Sequence, residues 1–431
     1  MSEPVRVGVV GMGTVGSGVV RVLDQSADHI QRQAGRPIVV EQVVVRDAGK
    51  QRGVTVPGDR LSTDLAAVAG NPAISVAAML VGGLEPARSM TIELLRRGKD
   101  VVTANKALLA EHGPELFAVA REAGRSIAFE AAIAGGIPIV AAIAECLAAN
   151  RIESIRGILN GTSNFILTRM EEEGSDYAEV LAVAQAEGYA EADPTMDVDG
   201  TDATQKLALL AHLAFGTWVP WGQIARVGLE TIDQELLRFA GELGYRIRVV
   251  ADASRAAGAL AMRVGPTLVR KGTPLAETRG AFNAVSVVGD AVGPLFFHGL
   301  GAGQLPTASA VVADIIDTVV GRAAITFRTT GMLAADTPAA ALAGSGNSRY
   351  LLRLQVTDRP GVLADLTNVL GSEGISIASV IQHQTAAGTA AVPLVIMTHS
   401  CESTAVARAV AALDQQPAVQ AATSCLPVLD D

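Results

Sequence analysis

The 431-residue chain has only three cysteines, Cys146, Cys401 and Cys425, far apart and outside any CxxC or Cys/His array. That excludes a disulfide framework and points to a reducing compartment. The six histidines are scattered, so no His/Cys cluster is offered to a transition metal. Positive charge is also short: 34 Lys+Arg stand against 44 Asp+Glu, a net charge of −10. This argues against nucleic acid, whose binding asks for a basic face. The uncharged run 131–144 is too short to span a bilayer and is interrupted by Gly135, Gly136 and Pro138. No positively charged leader precedes an apolar run, and internal repeats and low-complexity tracts are lacking. The expectation is a soluble, cytoplasmic protein of two or three domains, with 49% hydrophobic residues to build its cores.

What the chain does have begins at once. Residues 5–10 read as a buried strand. Gly11-Met12-Gly13-Thr14-Val15-Gly16 follows, and Val15, Val19, Val20, Val22 and Leu23 then run on in a helical pattern. Strand, glycine turn and helix form the context that a dinucleotide fingerprint requires. Gly11 permits the tight turn, Gly13 lets a pyrophosphate approach the backbone, and Gly16 lets helix pack on strand. The helix N-terminus offers N–H groups to the phosphates. A second strand is expected at 39–45. Arg46 at its end suits the 2′-phosphate of NADP, while Asp47 keeps NAD open. Further strands are expected at 75–81, 101–104 and 126–129, with a helix at 86–97. Lys106, just after the strand 101–104, falls on the ligand side of a parallel sheet. The alternation predicts a doubly wound, Rossmann-type α/β domain.

Residues 138–149 read as a helix, 151–159 as a strand, and 164–173 as a helix capped by Thr162 or Ser163. A helix at 177–187 leads into a run that packs Glu191, Asp193, Asp197, Asp199 and Asp202 ahead of one lysine, Lys206. Pro194 and Gly200 keep its first part irregular. From Thr201 on, Ala203, Leu207, Leu210, Ala211 and Ala214 recur at helical spacing, and Asp202 and Lys206 share a face. Alone, this reads as an acidic helix start favoured by the helix dipole. The other reading is a pocket for a cationic amino group, with a lysine presented to a reacting hydroxyl. A helix at 233–243 and strands at 246–251, 260–269 and 282–290 predict an α+β domain with helices on one face of a mixed sheet. Gly299, Gly301 and Gly303 precede Pro306 and a helix to 320, and such glycines permit close approach to a cofactor. Residues 321–349 lack a clean period and read as a linker. Strands at 349–356, 375–384, 392–398 and 419–426, with helices at 361–371 and 404–413, give a ferredoxin-like βαββαβ module.

This ordered set resembles homoserine dehydrogenase with a C-terminal ACT domain. The landmarks are the glycine turn at 11–16, the segments 101–107, 130–138 and 157–164, and the acidic run ending in Lys206. Residues 358–363 mark the ACT-like module. The resemblance implies a dinucleotide-binding domain at 1–130 with 305–325 packing back on it, and a substrate-binding and dimerisation domain at 131–304. A linker at 326–348 and an ACT-like regulatory domain at 349–431 would follow. It implies reversible, NAD(P)-dependent interconversion of L-homoserine and L-aspartate 4-semialdehyde, within threonine, methionine and isoleucine biosynthesis. Lys206 would be the acid/base, Glu191 and Asp202 would hold the substrate, and Asp197 would help shape the pocket. Lys106 would lie at the nicotinamide end, with the 11–16 turn, Arg46 and Gly301 also on the cofactor. Glu130 and the backbone carbonyls of Ile133, Gly135 and Ile137 would hold a structural sodium ion, since oxygen donors suit a hard cation. L-Threonine is the implied effector, and a homodimer or homotetramer the implied assembly. Aspartate-semialdehyde dehydrogenase, a second enzyme reading, needs a cysteine nucleophile. Cys146, inside the expected 138–149 helix, reads instead as a buried, inert thiol. His212 reads as a satisfied core residue. A non-catalytic amino-acid sensor is a third reading, opposed by Lys206 and Glu191.

Overall fold

The computed structural model describes residues 3–256, 259–329, 342, 346–383 and 391–429. They fall into two compact units, residues 1–155, 202–224 and 282–340 in one, and 156–201, 225–281 and 341–431 in the other. No helix among the described residues is long and apolar enough to cross a membrane.

The first unit is built on six parallel strands: β1 (Val5–Val10), β2 (Ile38–Val44), β3 (Leu61–Ser62), β4 (Ile74–Met79), β5 (Asp100–Thr103) and β6 (Ile127–Ala128). Their order is β3-β2-β1-β4-β5-β6, that of a dinucleotide-binding sheet. Strands covered on both faces need β-branched residues throughout, and Val7, Val9, Val43, Val101 and Val102 are wholly buried. Each such side chain contributes roughly 1.5–3 kcal/mol by leaving water. The helix Gln304–Val320 sends Ala308, Val311, Val312 and Ile315 into the same core, and its first side chain, Gln304, donates to the Thr14 carbonyl at 3.1 Å.

Two elements depart from the sequence pattern. The expected 138–149 helix is one short turn, Ile139–Ala141, followed by a π-turn, Ala142–Cys146, closed by Leu147 N–H on the Ala142 carbonyl. Cys146 is therefore exposed, which corrects its reading as a buried thiol. A strand not anticipated, Gly293–Leu300, forms an antiparallel hairpin with Phe282–Gly289. Its glycines and proline hid the alternation of half-buried and exposed residues that the structure reveals.

In the second unit the helix Gly161–Glu173 is capped by Asn160, whose Oδ1 accepts from Ser163 N–H at 2.8 Å, rather than by Thr162 or Ser163. Those two hydroxyls donate instead to the carbonyls of Tyr189 and Asp197, each at 2.7 Å. A long hairpin, Tyr245–Ala256 with Ala259–Arg270, lies beside the C-terminal module. That module has the βαββαβ order: Asn347–Val356, Val362–Ser372, Ile377–Ile381, Val392–Thr398, Ser403–Leu413 and Ser424–Leu429. Leu352, Leu354, Leu366, Leu370, Ile396 and Leu413 form its core. The last strand starts at Ser424, not 419, and pairs both with Asn347–Val356 and, in parallel, with the long hairpin at Leu268↔Val428. Of the linker expected at 326–348, residues up to 329 belong to the helix Arg322–Thr329. Residues 330–341 and 343–345 lie outside the described residues.

Candidate active site

The glycine turn leaves β1 where the strand order reverses, between β1 and β4, which is where such sheets bind ligands. Gly11 has φ +95°, and a Cβ there would lie 2.8 Å from the Leu80 carbonyl carbon. Gly16 is pressed on the Gly11 carbonyl. Gly13 differs: nothing lies within 4 Å of where its Cβ would be. It stands at the N-cap of the helix Thr14–Gln25, with no side chain closing the helix end and no acid in its first turn. An open backbone and a free positive helix end fit a pyrophosphate. Met12 is buried beneath the turn, Val15 half-buried and Thr14 exposed. Arg52 clasps the loop after β2 to this turn, donating to the carbonyls of Met12 at 3.2 Å and Lys50 at 2.7 Å. Asp47 accepts from Gly49 N–H at 2.8 Å, and Arg46 is exposed to solvent.

After β5, Asn105 caps the helix Lys106–Glu122 through Leu108 N–H at 3.0 Å. Its amide donates to the carbonyls of Val81 at 3.0 Å and Gly83 at 2.7 Å, tying the ends of β4 and β5 together. Lys106 is thus fixed at its root, and its Nζ lies 2.8 Å from Asp202 Oδ1. Asp202 and Lys206 are one turn apart on the helix Thr201–Phe215, and Lys206 Nζ lies 2.7 Å from Asp202 Oδ2. One buried carboxylate therefore holds two ammonium groups, one on each oxygen. Burial pushes the Asp202 carboxyl up, but Lys206 and Lys106 outweigh it and hold it far below the usual carboxylate range. The Lys206 side chain is 10% exposed and that of Lys106 36%, so the site opens to solvent on the Lys106 side. A lysine held this way can deliver a proton to a reacting oxygen and, once deprotonated, can take one from an entering hydroxyl.

Residues 138–316 match the family described as homoserine dehydrogenase, and residues 11–130 its NAD-binding domain; residues 350–418 match the ACT domain. A homoserine dehydrogenase of Pseudomonas aeruginosa is 43% identical over 420 residues, 96% of each chain. The chain belongs to the homoserine dehydrogenase family. The crystal structure of a homoserine dehydrogenase from Thiobacillus denitrificans superposes with a TM-score of 0.92 at 42% identity, covering 99% of each chain. A hyperthermophilic archaeal homoserine dehydrogenase mutant in complex with NADPH matches with a TM-score of 0.62 at 26% identity, over 73% of this chain and 97% of that one. As a family member the chain is an oxidoreductase with a nicotinamide-nucleotide domain, a mixed-sheet catalytic domain and an ACT domain.

Of the residues that homoserine dehydrogenase likeness singled out, Lys106, Asp202 and Lys206 meet in the first unit. Glu191 and Asp197 belong to the second unit, where Glu191 is exposed and Asp197 half-buried. Asn160 Nδ2 donates to Asp197 Oδ1 at 2.7 Å. Asp193 and Asp199 are turn-forming carboxylates, bonded to Thr195 and Thr201 respectively. Gly301 packs where any Cβ would overlap the Asn283 carboxamide, and Gly135 where one would overlap the Gly301 carbonyl. His212 is a core residue, buried edge-on to Trp218 at 5.3 Å. Burial pushes its pKa down.

The Glu130 carboxylate oxygens accept from Val140 N–H at 2.9 Å and Ala141 N–H at 2.8 Å, on the short turn Ile139–Ala141. The N–H of Glu130 itself donates to Asp314 Oδ2 at 2.9 Å. Burial raises both carboxyls, Asp314 well above its usual value with Glu130's charge adding to the effect, while the Ala141 and Val140 N–H groups partly offset it at Glu130. A raised carboxyl holds its proton longer in the folded state than in the unfolded one. Asp314 therefore lowers stability as pH rises from the unfolded value of about 3.9 through the folded one. Asp314→Asn keeps the acceptor oxygen and removes the charge. Thermal unfolding of that variant at pH 8 should show a midpoint higher by about 2–4 °C, the shift that 1 kcal/mol produces in a domain of 150–250 residues. A lower midpoint would show that Asp314 is needed as an anion.

Proposed function

We propose that the protein interconverts L-homoserine and L-aspartate 4-semialdehyde, with Lys206 as the proton-transfer group. The observation that carries this is one buried Asp202 holding Lys206 and Lys106 on separate oxygens. A bound nicotinamide would supply the hydride acceptor for the carbinol carbon, or the hydride donor in the reverse direction. On reduction the Lys206 ammonium gives its proton to the forming hydroxyl; on oxidation Lys206 first loses that proton to solvent and then, as the neutral amine, takes the hydroxyl proton. Asp202 fixes the direction of both ammonium groups, and Lys106 positions and assists electrostatically from the open side. Glu191 and Asp197 are assigned to the substrate's amino group and pocket from their motif. The 1–130, 131–304 and 349–431 domain division is kept as part of this reading.

NADP is the favoured cofactor. Asp47 is engaged in its own turn and Arg46 is exposed at the end of β2, and a relative of the family is described with NADPH. Arg46→Ala should raise KM for NADP about tenfold or more, from the roughly 1.5–3 kcal/mol of a charge-assisted hydrogen bond. KM for NAD should not move. Equal change in both would remove Arg46 from the 2′-phosphate. For sodium, Glu130 and the backbone carbonyls of Ile133, Gly135 and Ile137 are the proposed donors. L-Threonine at the ACT domain, a homodimer or homotetramer, and a cytoplasmic place in threonine and methionine biosynthesis complete the reading. The exposed Phe282, Phe296 and Leu300 of the hairpin Phe282–Leu300 support self-association. Cofactor reduction followed with L-homoserine, using NAD and NADP, with and without L-threonine, tests the activity, the cofactor preference and the threonine effect. Absence of homoserine-dependent reduction with a cofactor that binds would refute the activity.

A further inference from the structure

The C-terminal module does not rest on its linker alone. Arg353 and Gln355, on its first strand, and His383, just past the strand Ile377–Ile381, engage the helix Gln234–Glu242. Arg353 pairs with Asp233, and its Nη2 donates to Ser424 Oγ at 3.1 Å; Gln355 donates to Glu235 at 2.9 Å. His383 lies 2.8 Å from Glu242 and stacks on Phe239 with ring centroids 5.3 Å apart. Asp233 is the N-cap of that helix, accepting Leu236 N–H at 2.8 Å, so Arg353 grips the residue that starts it. The next residue, Gln234, donates from one amide nitrogen to the carbonyls of Met170, at 2.9 Å, and Ser175. Met170 lies in the last turn of the helix Gly161–Glu173. At the other end of that helix, about 15 Å from Met170 at 1.5 Å per residue, Asn160 and Ser163 hold Asp197, and Thr162 holds the Tyr189 carbonyl. All of these contacts lie within the second unit.

We infer that Arg353 and Gln234 are positioning residues that fasten the ACT domain to the acidic loop 189–200, so that the state of the module is read as affinity for the amino-acid substrate. This rests on the proposal that Asp197 serves the substrate. The chain of contacts reaches Asp197 and Tyr189 through helix ends, where one or two hydrogen bonds set the position of a loop. None of its members belongs to the glycine turn or to the Lys106–Asp202–Lys206 cluster. Cofactor affinity and the proton step should therefore be left alone.

The test is steady-state kinetics of the full-length enzyme, comparing Arg353→Ala, Gln234→Ala, their double variant, Arg353→Lys and Asp197→Asn. Each alanine variant is expected to raise KM for L-homoserine about three- to tenfold, the range of substitutions along coupled networks. The double variant should add little, because both cut one route. Arg353→Lys should restore most of the loss, while kcat and KM for NADP stay within about twofold in every alanine variant, being set by groups distant from the change. If Asp197→Asn leaves the homoserine KM unchanged, the substrate role of the loop fails. If Asp197→Asn raises it and the alanine variants do not, the loop reading stands and the coupling is overturned. Additive effects, or parallel losses in kcat and cofactor KM, also overturn it, since they indicate two separate or general defects.

Discussion

Lys206→Met should lower kcat by about a thousandfold, the middle of the range for removing a general acid or base. Methionine keeps the length and apolar stem of lysine, so the helix Thr201–Phe215 retains its packing. Asp202 keeps Lys106 as a partner at 2.8 Å, so its charge is not stranded. The cofactor turn is built from β1, the helix Thr14–Gln25 and Arg52, which donates to the carbonyls of Met12 and Lys50. The dissociation constant for NADP should therefore change by less than about twofold, a loss confined to the transition state. Comparable loss of NADP affinity would mean that Lys206 is part of the cofactor site.

Asp202→Asn should cost activity and stability together. The amide is the same shape but carries no charge, so Lys206 is left with its ammonium largely out of water. Breaking a buried pair typically costs 3–5 kcal/mol. The more exposed Lys106 is screened by solvent and adds little, so a loss near 3 kcal/mol, the low end of that range, is expected at pH 7. The sign with pH follows from the direction of the Asp202 shift. A lowered carboxyl contributes stability that is fully present above the unfolded value of about 3.9 and is lost as pH falls through the folded value. Denaturant unfolding of wild type and variant should differ at neutral pH and converge only in strong acid. A constant gap down to low pH would assign the loss to packing rather than charge. Turnover should fall by more than a hundredfold, because Lys206 loses the acceptor that aims it, a disturbance of acid–base geometry.

Much of this was legible because it is local in sequence. Strand, glycine turn and helix are contiguous, and Gly11, Gly13 and Gly16 each do in the structure what a turn, an open approach and a close packing require. Asp202 and Lys206 are one helical turn apart, so their pairing follows from spacing alone. Lys106 could be placed on the ligand side of the sheet, but not against Asp202, because the two are joined only by the fold. The same limit hid Asp314, whose partner Glu130 is 184 residues away. The N–H groups that the Glu130 carboxylate accepts, of Val140 and Ala141, lie on the short turn Ile139–Ala141 that precedes the π-turn Ala142–Cys146, where a regular helix was expected. Asn160 displaced Thr162 and Ser163 as a cap because both hydroxyls are drawn to the acidic loop, a tertiary demand that propensity does not contain. Cys146 became exposed when the regular helix assumed for 138–149 gave way to that π-turn, which changes the face each residue presents.

The division of labour between the two lysines is the centre of this account. Single-turnover hydride transfer from L-homoserine to bound NADP, measured side by side in Lys206→Met and Lys106→Met, tests it most directly. With cofactor saturating, Lys206→Met should be slower than Lys106→Met by at least about tenfold, the least that separates a proton-transfer group from an electrostatic assistant. Lys106→Met should retain measurable transfer. Equal rates, or the reverse order, would contradict the assignment of the proton to Lys206.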